Sequence, residues 1–455
     1  MSSTDERSGL ERQLDRLGKP FSNFVGAQTT ASLVLLAATL GALWWANSNE
    51  ASHYYSLLKT PFGVIFGHSY FAAVLKSWIN DGLMALFLFL LGLEIKREFL
   101  AGDLVDPKLR RMVMLCALGG MLLPALLFAL FNRTGPGLAG WGIPTATDTA
   151  FALGMLALLG RRVPPTLIIF IVGLAIIDDL GAILVLALFY TQHLSVIPLL
   201  AAMLVIALMA LANYAGVRQP SLYVVGGLLT WYAMLNSGVH ATLAGVAVAM
   251  TVPARPKSPP RHLLRQAKNA IQAVQTADKP IDVLGDKEQH DLIQDVKLFA
   301  EHASTPLRRW EHALQLPVAL LVLPLFALVN AGIPVNRTAL LQVVTHPVGI
   351  GILVGLLVGK CLGISGMCWA ALRLGIGALP EGVRYAHVVG ASLIAGMGFT
   401  MSTFMATRGF DAEPQLLEIA KTSILLASLA AAASGSFVLY WLGRDERAAA
   451  VNTPR

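Results

Sequence analysis

The chain has 455 residues, of which 55% are hydrophobic and 13% are charged, and its mean hydropathy is +0.64. These values lie outside the usual range for water-soluble domains, so they exclude a soluble globular protein and indicate an integral membrane protein. The formal net charge of +7 reflects basic residues that follow the membrane topology, and it does not indicate a nucleic-acid partner.

The first residues, MSSTDERSGLERQLDRLGKPFSNF, are too highly charged for the apolar region of a signal peptide. Leu10, Leu14 and Leu17 have helical spacing, which favours a short helix on the membrane surface. We therefore predict an uncleaved cytoplasmic segment over residues 1–30.

Twelve apolar stretches follow, most of them near the roughly 20 residues that a helix needs to cross a bilayer. They cover 31–46, 75–93, 112–131, 142–159, 167–190, 196–211, 221–235, 239–252, 316–333, 348–372, 387–405 and 417–442. A backbone in lipid must satisfy its own hydrogen bonds, and short alternating segments typical of a barrel are not seen. The predicted fold class is an all-α polytopic membrane protein with about 12 transmembrane helices.

The predicted organisation has five parts. A cytoplasmic segment (1–30) precedes helices 1–8 (31–252), a loop (253–312), helices 9–12 (313–443) and a tail (444–455). Lys and Arg are concentrated on the side of this path that holds both termini, so the positive-inside rule places both termini in the cytoplasm. The loop is proline-rich and then carries an amphipathic pattern that includes Leu292 and Phe299; it is regulatory or merely connecting.

Two adjacent aspartates lie within the fifth stretch, in LAIIDDLGAILV. Insertion scales assign about 2.5 to 3.5 kcal/mol to one Asp at the centre of a spanning helix, so Asp178 and Asp179 must face protein or water. A single structural bridge needs one carboxylate. The pair is therefore a candidate functional site.

Two segments have the composition of interrupted helices. GIPTATDTAFALG holds Asp148, and GASLIAGMGFTMSTFMA combines glycines with hydroxyl residues in the other half of the chain. Lys360 is the only lysine deep within a stretch, and the acids are its obvious partners. Two interrupted segments in opposite halves indicate a transporter with inverted repeats and a midplane site between discontinuous helices.

Carboxylates with hydroxyl and carbonyl oxygens suit a hard cation, and the same carboxylates can take protons. Because paired acids titrate together, a proton and a cation compete for one place. Competition at an alternately accessible site is antiport. We expect no cofactor and no enzymatic activity.

The motifs INDGLMALFLFLLGLEIKREF, TATDTAFALG, LAIIDDLGAILVLALFYT, SGVHATLAG, PLFALVNAGI, GKCLGISG and AGMGFTMS occur in this order. Together they resemble the NhaA family of sodium/proton antiporters of the bacterial inner membrane, over nearly the whole chain from residue 31 to 442. The resemblance implies electrogenic exchange, with more than one proton entering for each Na⁺ or Li⁺ that leaves.

The resemblance also implies residue roles. Asp179 is the principal cation and proton carboxylate, and Asp178 alternates between the site and a bridge to Lys360, or aids access to it. Asp148 and Lys360 compensate the facing ends of the broken helices, with Thr147 at their crossing.

A cytoplasmic funnel senses pH in this family. The matching residues are Glu94, Lys96, Arg97, Glu98, Glu311 and His312. Charges at this boundary are equally typical of a solvated helix end. His240 could titrate near neutrality or be structural, and Asp81 could make a structural hydrogen bond or line the exit path.

The chain departs from the family pattern at three places: Asn236 replaces a basic residue, Cys361 stands where proline is common, and the loop at 253–312 is longer than usual. These departures bear on the pH profile and leave the aspartate pair untouched. The family also forms dimers through a hairpin between its first two helices. Here Tyr54 and Phe62 suit such an interface, so we expect a homodimer in a lipid bilayer.

Other classes explain the pattern less well. An intramembrane aspartyl protease needs two facing carboxylates, but adjacent residues on a helix point about 100° apart. A cation channel would not explain the interrupted helices or the buried Lys360. A transporter for K⁺ or another solute remains the alternative, and ion selectivity in flux assays distinguishes it.

Overall fold

The computed structural model describes residues 29–66, 69–101, 107–191, 194–255 and 304–451. The predicted surface helix at Leu10 to Leu17 and the amphipathic pattern from Leu292 to Phe299 lie outside these ranges, as do residues 452–455. Most of the predicted loop, 256–303, is likewise outside them.

Eighteen α-helices are numbered here in chain order within the described residues. The first ten are α1 Thr29–Ala46, α2 Ala51–Lys59, α3 Leu75–Ser77, α4 Met84–Ala101, α5 Pro107–Phe131, α6 Thr149–Leu159, α7 Pro165–Phe189, α8 Val196–Tyr214, α9 Pro220–Leu235 and α10 Leu243–Thr251. The others are α11 Pro306–Pro317, α12 Leu323–Asn330, α13 Arg337–Thr345, α14 Pro347–Val354, α15 Lys360–Arg373, α16 Tyr385–Ile394, α17 Phe399–Gly409 and α18 Pro414–Val451.

Several helices are joined by tighter or wider turns. Segments of 3₁₀-helix cover Pro136–Thr145 and Gly160–Arg162, and π-helical turns cover Trp78–Leu83, Val318–Val322 and Gly355–Gly359. The π turns continue neighbouring helices, so that Leu75–Ala101, Pro306–Asn330 and Pro347–Arg373 each form one long span.

In the described part of the chain, nine helices are long and apolar enough to cross a membrane, and α16 with α17 makes a tenth if this pair, bent by 49°, is one span. The all-helical polytopic class is therefore confirmed. The count of twelve stays a prediction, because α9 is a shorter apolar helix and α10 has only 9 residues.

Helix boundaries differ from the apolar stretches for local reasons. Proline stands in the first turn of α5, α7, α9, α11 and α14, where its missing N–H is not needed. Before α11, the Thr305 side chain accepts a hydrogen bond from Arg308 N at 3.2 Å, so this helix begins within the segment predicted as loop. At the other end, α18 continues through the predicted tail to Val451, because DERAAAV contains strong helix formers.

Two strands lie between α2 and α3 and are the only strands in the described ranges. Strand β1, Pro61–Phe66, pairs antiparallel with β2, Ser69–Val74, with Pro61 opposite Val74. Trp78 Nε1 donates to Phe62 O at 2.8 Å, and the two rings lie edge to face at 6.1 Å. The segment implied by the family resemblance therefore forms a hairpin.

The described residues divide into two compact units. The first takes the described residues within Met1–Leu83, Asp103–Tyr190 and Ala319–Arg455, and the second takes those within Met84–Gly102 and Thr191–Val318. In the first unit, α5 packs on α15 through glycine: a Cβ at Gly119 would lie 2.2 Å from Gly363 O. In the second, a Cβ at Gly245 would lie 2.1 Å from Ala85 O. Small residues thus let helix backbones touch, as is typical in membranes.

Candidate functional site

The adjacent aspartates lie in the middle of α7, in the first unit. The helix starts at Pro165 and is apolar on every side, as expected for a helix that protein and lipid surround. Asp178 is 0% exposed and Asp179 is 3% exposed. Because successive residues point about 100° apart on a helix, the two carboxylates reach different neighbours.

The first predicted interruption is a real break in the helix. The 3₁₀ segment ends at Thr145, Ala146 is extended with φ −86° and ψ 148°, and α6 begins at Thr149. Asp148 is the N-cap of α6, and its Oδ1 accepts a hydrogen bond from Phe151 N at 3.2 Å. Capping by an acidic side chain stabilises a helix that starts inside the protein.

The second predicted interruption separates α16 from α17. Glycine is needed in it, because a Cβ at Gly396 would lie 2.4 Å from Leu356 O. A Cβ at Gly398 would lie 2.3 Å from Ser402 Oγ. The missing side chain at Gly396 therefore lets the 4-residue break between α16 and α17 pack directly against the backbone of Leu356.

The two breaks cross in contact with each other. Asp148 N donates to Met397 O at 2.6 Å, and Ser402 Oγ donates to Ile143 O at 2.7 Å. Asp148 Oδ2 accepts from Thr400 N at 2.8 Å. One carboxylate therefore accepts hydrogen bonds from the N-terminal turns of both α6 and α17, where helix dipoles favour negative charge.

Lys360 contacts this crossing through Thr147 and is 0% exposed. Its Nζ is 2.5 Å from Asp178 Oδ2 and 2.9 Å from Thr147 Oγ1. The Thr147 hydroxyl lies 2.8 Å from Asp178 Oδ2 and 3.0 Å from Ala395 O, so it can donate its proton to either acceptor. A buried ion pair with an added hydroxyl is how proteins tolerate charges away from water.

Asp179 has a different environment. Its Oδ2 lies 3.3 Å from Thr149 Oγ1, in the first turn of α6. Two carboxylates and the hydroxyls of Thr147 and Thr149 thus surround the crossing, and this is the oxygen donor set of a hard cation. Sequence reasoning missed Thr149, although its position after Asp148 in the TATDT motif was a usable signal.

The residues of the predicted pH funnel lie in the second unit, on α4 and α11. Arg97 Nε is 3.0 Å from Glu311 Oε1, so the structure brings these two together. Lys96 Nζ donates instead to the carbonyls of Met250 and Val252, at 2.6 and 2.5 Å.

Of the other predicted funnel residues, Glu94 and Glu98 share α4 with this ion pair and are half-buried. His312 follows Glu311 on α11 and is exposed.

Two further candidates lie elsewhere. His240 lies in the turn between α9 and α10, and its carbonyl accepts from Leu243 N at 3.0 Å. Asp81 lies in the π turn Trp78–Leu83 and forms an ion pair with Arg408 at the end of α17. Neither residue is among the groups that meet at the crossing of the two breaks.

Comparison with known proteins gives matches over most of the chain. Residues 22–439 match the family model described as Na+/H+ antiporter 1. Na(+)/H(+) antiporter NhaA 1 of Shewanella denitrificans is 54% identical over 435 residues, which cover 96% of this chain and 97% of the relative. Na(+)/H(+) antiporter NhaA 2 of Psychromonas ingrahamii is 55% identical over 438 residues, covering 96% and 92%. Na(+)/H(+) antiporter NhaA of Sulfurimonas denitrificans is 42% identical over 432 residues, covering 95% and 97%.

Proposed function

Because the chain belongs to the Na+/H+ antiporter 1 family, we propose that it exchanges Na⁺ or Li⁺ for protons at the Asp178 and Asp179 pair. A protein of this family is a transporter and not an enzyme. One observation carries the proposal: two consecutive aspartates are buried at the crossing of two broken helices, and each has a threonine hydroxyl beside the first break within hydrogen-bond distance.

Asp179 is the principal carboxylate of the proposed site. Its Oδ2 lies 3.3 Å from the Thr149 hydroxyl, and the preceding residue, Asp178, is ion-paired with Lys360. A buried carboxylate can be neutralised either by a cation or by a proton. Bound Na⁺ and a bound proton are thus alternatives at Asp179, which is the requirement for exchange.

The ion pair of Asp178 with Lys360 gives Asp178 a second position in this proposal. Asp178 alternates between its bridge to Lys360 and the bound cation. The exchange is electrogenic, with more than one proton entering for each Na⁺ that leaves.

Asp148 and Lys360 also balance the ends of the broken helices. Asp148 faces two helix N-termini, and Lys360 reaches the Thr147 hydroxyl, which lies beside the carbonyl of Ala395 at the end of α16. Alternating access then exposes one charge-balanced site to either side of the membrane. The support for this step is the set of direct hydrogen bonds across the crossing.

We further propose that exchange is regulated by pH through the charged and titratable residues on α4 and α11, which are Glu94, Lys96, Arg97, Glu98, Glu311 and His312. The support is the ion pair of Arg97 with Glu311, which depends on the charge of Glu311. The positive-inside pattern supports an inner-membrane protein with both termini in the cytoplasm. The hairpin of β1 and β2 supports a homodimer, because hairpin edges can pair between two copies.

The test uses everted membrane vesicles with an acidified interior. Addition of NaCl or LiCl should dissipate the pH gradient with the native protein and fail to do so with Asp179→Asn. Asp411→Asn is the matched control, because Asp411 is exposed and lies outside the site. If KCl alone dissipates the gradient, the chain transports a different cation. If no cation does so between about pH 6 and 9 in well-expressed protein, the proposal is wrong.

A further inference from the structure

A second charged pair lies in the first unit, away from the aspartates of α7. Asp81 in the π turn Trp78–Leu83 and Arg408 in the last turn of α17 are ion-paired, and their side chains are only 20% and 17% exposed. The residues are 327 positions apart in sequence, so the pair ties together two distant parts of the chain.

A contribution to folding stability does not by itself explain an ion pair that is largely buried. Removing two charges from water is costly, and apolar residues of similar size often serve the fold as well or better. The π turn also indicates a functional role for this pair, because single π turns within α-helices are frequent at functional sites. Asn80 and Asp81 are consecutive in this turn, and Asn80 contacts Asn330 while Asp81 contacts Arg408.

Arg408 lies in the last turn of α17, which is the second half of a broken helix. Its first turn is held by Asp148, which accepts from Thr400 N at 2.8 Å. Thr400 and Arg408 are separated by eight residues, or about 12 Å along the helix axis. Carboxylates from two other segments thus act on opposite ends of α17, one on a backbone N–H and one on a guanidinium.

The C-terminal end of α17 is also tightly packed. Phe410 follows the helix and is 1% exposed, and a Cβ at Gly140 would lie 2.5 Å from its ring. A Cβ at Gly409 would lie 2.9 Å from the Tyr190 ring, and Tyr190 OH donates to Ala139 O at 2.6 Å. A shift of α17 along its axis would have to break these contacts together with the ion pair.

We propose that Asp81 and Arg408 are positioning residues that fix α17 along its axis, so that the Thr400 amide stays on Asp148 and the cation site keeps its shape. The pair itself binds no transported ion. This inference rests on the proposed antiport, because the site it serves is the one assigned to Na⁺. Of the two roles that the sequence left open for Asp81, this inference corresponds to the structural one.

The experiment compares Asp81→Asn, Arg408→Gln and the exchanged double variant Asp81→Arg with Arg408→Asp, assayed in proteoliposomes at one pH. Each single variant should raise the apparent KM for Na⁺ by about tenfold, equivalent to about 1.4 kcal/mol, with kcat changed much less. The exchanged variant should recover most of the loss, since it restores the pair. Arg337→Gln, at an exposed arginine of α13, should leave both constants unchanged.

A second readout does not depend on transport. Hydrogen exchange of the first-turn amides of α17, Thr400 included, should accelerate in the single variants and slow again in the exchanged variant. Single variants that fold and keep the native KM and exchange rates would overturn the inference. Failure of the exchanged variant to recover either readout would also overturn it and favour Asp81 as a residue of the ion path. If the native protein shows no Na⁺-dependent transport but the exchange pattern holds, the proposed function fails and the positioning role stands.

Discussion

Replacement of Lys360 by methionine is the sharpest test of the buried pair. Methionine keeps the length and apolar stem of the side chain but removes the ammonium group, which is 2.5 Å from Asp178 Oδ2 and 0% exposed. Asp178 would remain as a buried carboxylate whose only other partner among the described residues is the hydroxyl of Thr147. Breaking a buried pair from one side typically costs about 3 to 5 kcal/mol.

A double-mutant cycle separates the interaction free energy of Asp178 with Lys360 from the other effects of each substitution. Asp178→Asn with Lys360→Met removes both charges, so this double variant should be more stable than Lys360→Met alone. The stability of Lys360→Met relative to the native protein should also improve as the pH falls, because protonation removes the remaining charge on Asp178. Lys59→Met is the control, since Lys59 is exposed at the end of α2.

Thermal unfolding in detergent, followed by tryptophan fluorescence at several pH values, measures these differences. A Lys360→Met protein that unfolds at the native temperature at neutral pH would refute the reasoning. Asp178 would then carry its own proton in the resting protein, and the charge pair would not exist. Transport by the double variant at the native rate would refute a role for the ion pair in exchange.

Three further predictions concern different parts of the first unit. Thr149→Val should weaken Na⁺ binding about fivefold, the equivalent of one hydrogen bond of about 1 kcal/mol, whereas Thr149→Ser should not weaken it. The apparent KM for Na⁺ measures this difference. Equal KM values for the two variants would show that the Thr149 hydroxyl does not serve Asp179. Gly119→Leu should abolish folded protein in size-exclusion profiles because it separates α5 from α15, whereas Gly366→Leu should be tolerated, since a Cβ there meets nothing within 4 Å. Burial raises the pKa of Tyr54 to about 12, so the native protein should lose stability as the pH rises from about 10 to 12, and Tyr54→Phe should lose less across this window in unfolding assays.

The residues at the centre of the site were predictable from sequence because charges are rare within apolar stretches. Asp148, Asp178, Asp179 and Lys360 stand out there by their chemistry alone, and all four lie at or beside the crossing. The interruptions were also visible, since glycine, proline and hydroxyl residues interrupt an apolar pattern. The roles of these residues in transport stay predictions.

The partners of these residues were not predictable in the same way. The contact of Asp148 with Thr400 joins positions 252 residues apart, and no local pattern encodes it. The stretches are apolar on all sides, so hydrophobic periodicity does not indicate which face of α7 meets α6. The π turn that contains Asp81 was not predictable from sequence either, because the one extra residue of a π turn does not change the apolar pattern around it.

The crossing is held in part by the main chain, through the bond from Asp148 N to Met397 O at 2.6 Å. Substitution of side chains leaves such a bond in place, so an alanine scan of residues 145–149 and 395–400 will underestimate what the crossing contributes. Replacement of the Asp148 amide by an ester, through chemical ligation or nonsense suppression, removes that donor and keeps every side chain in place. The connection between the broken helices is thus partly independent of which side chains occupy these positions.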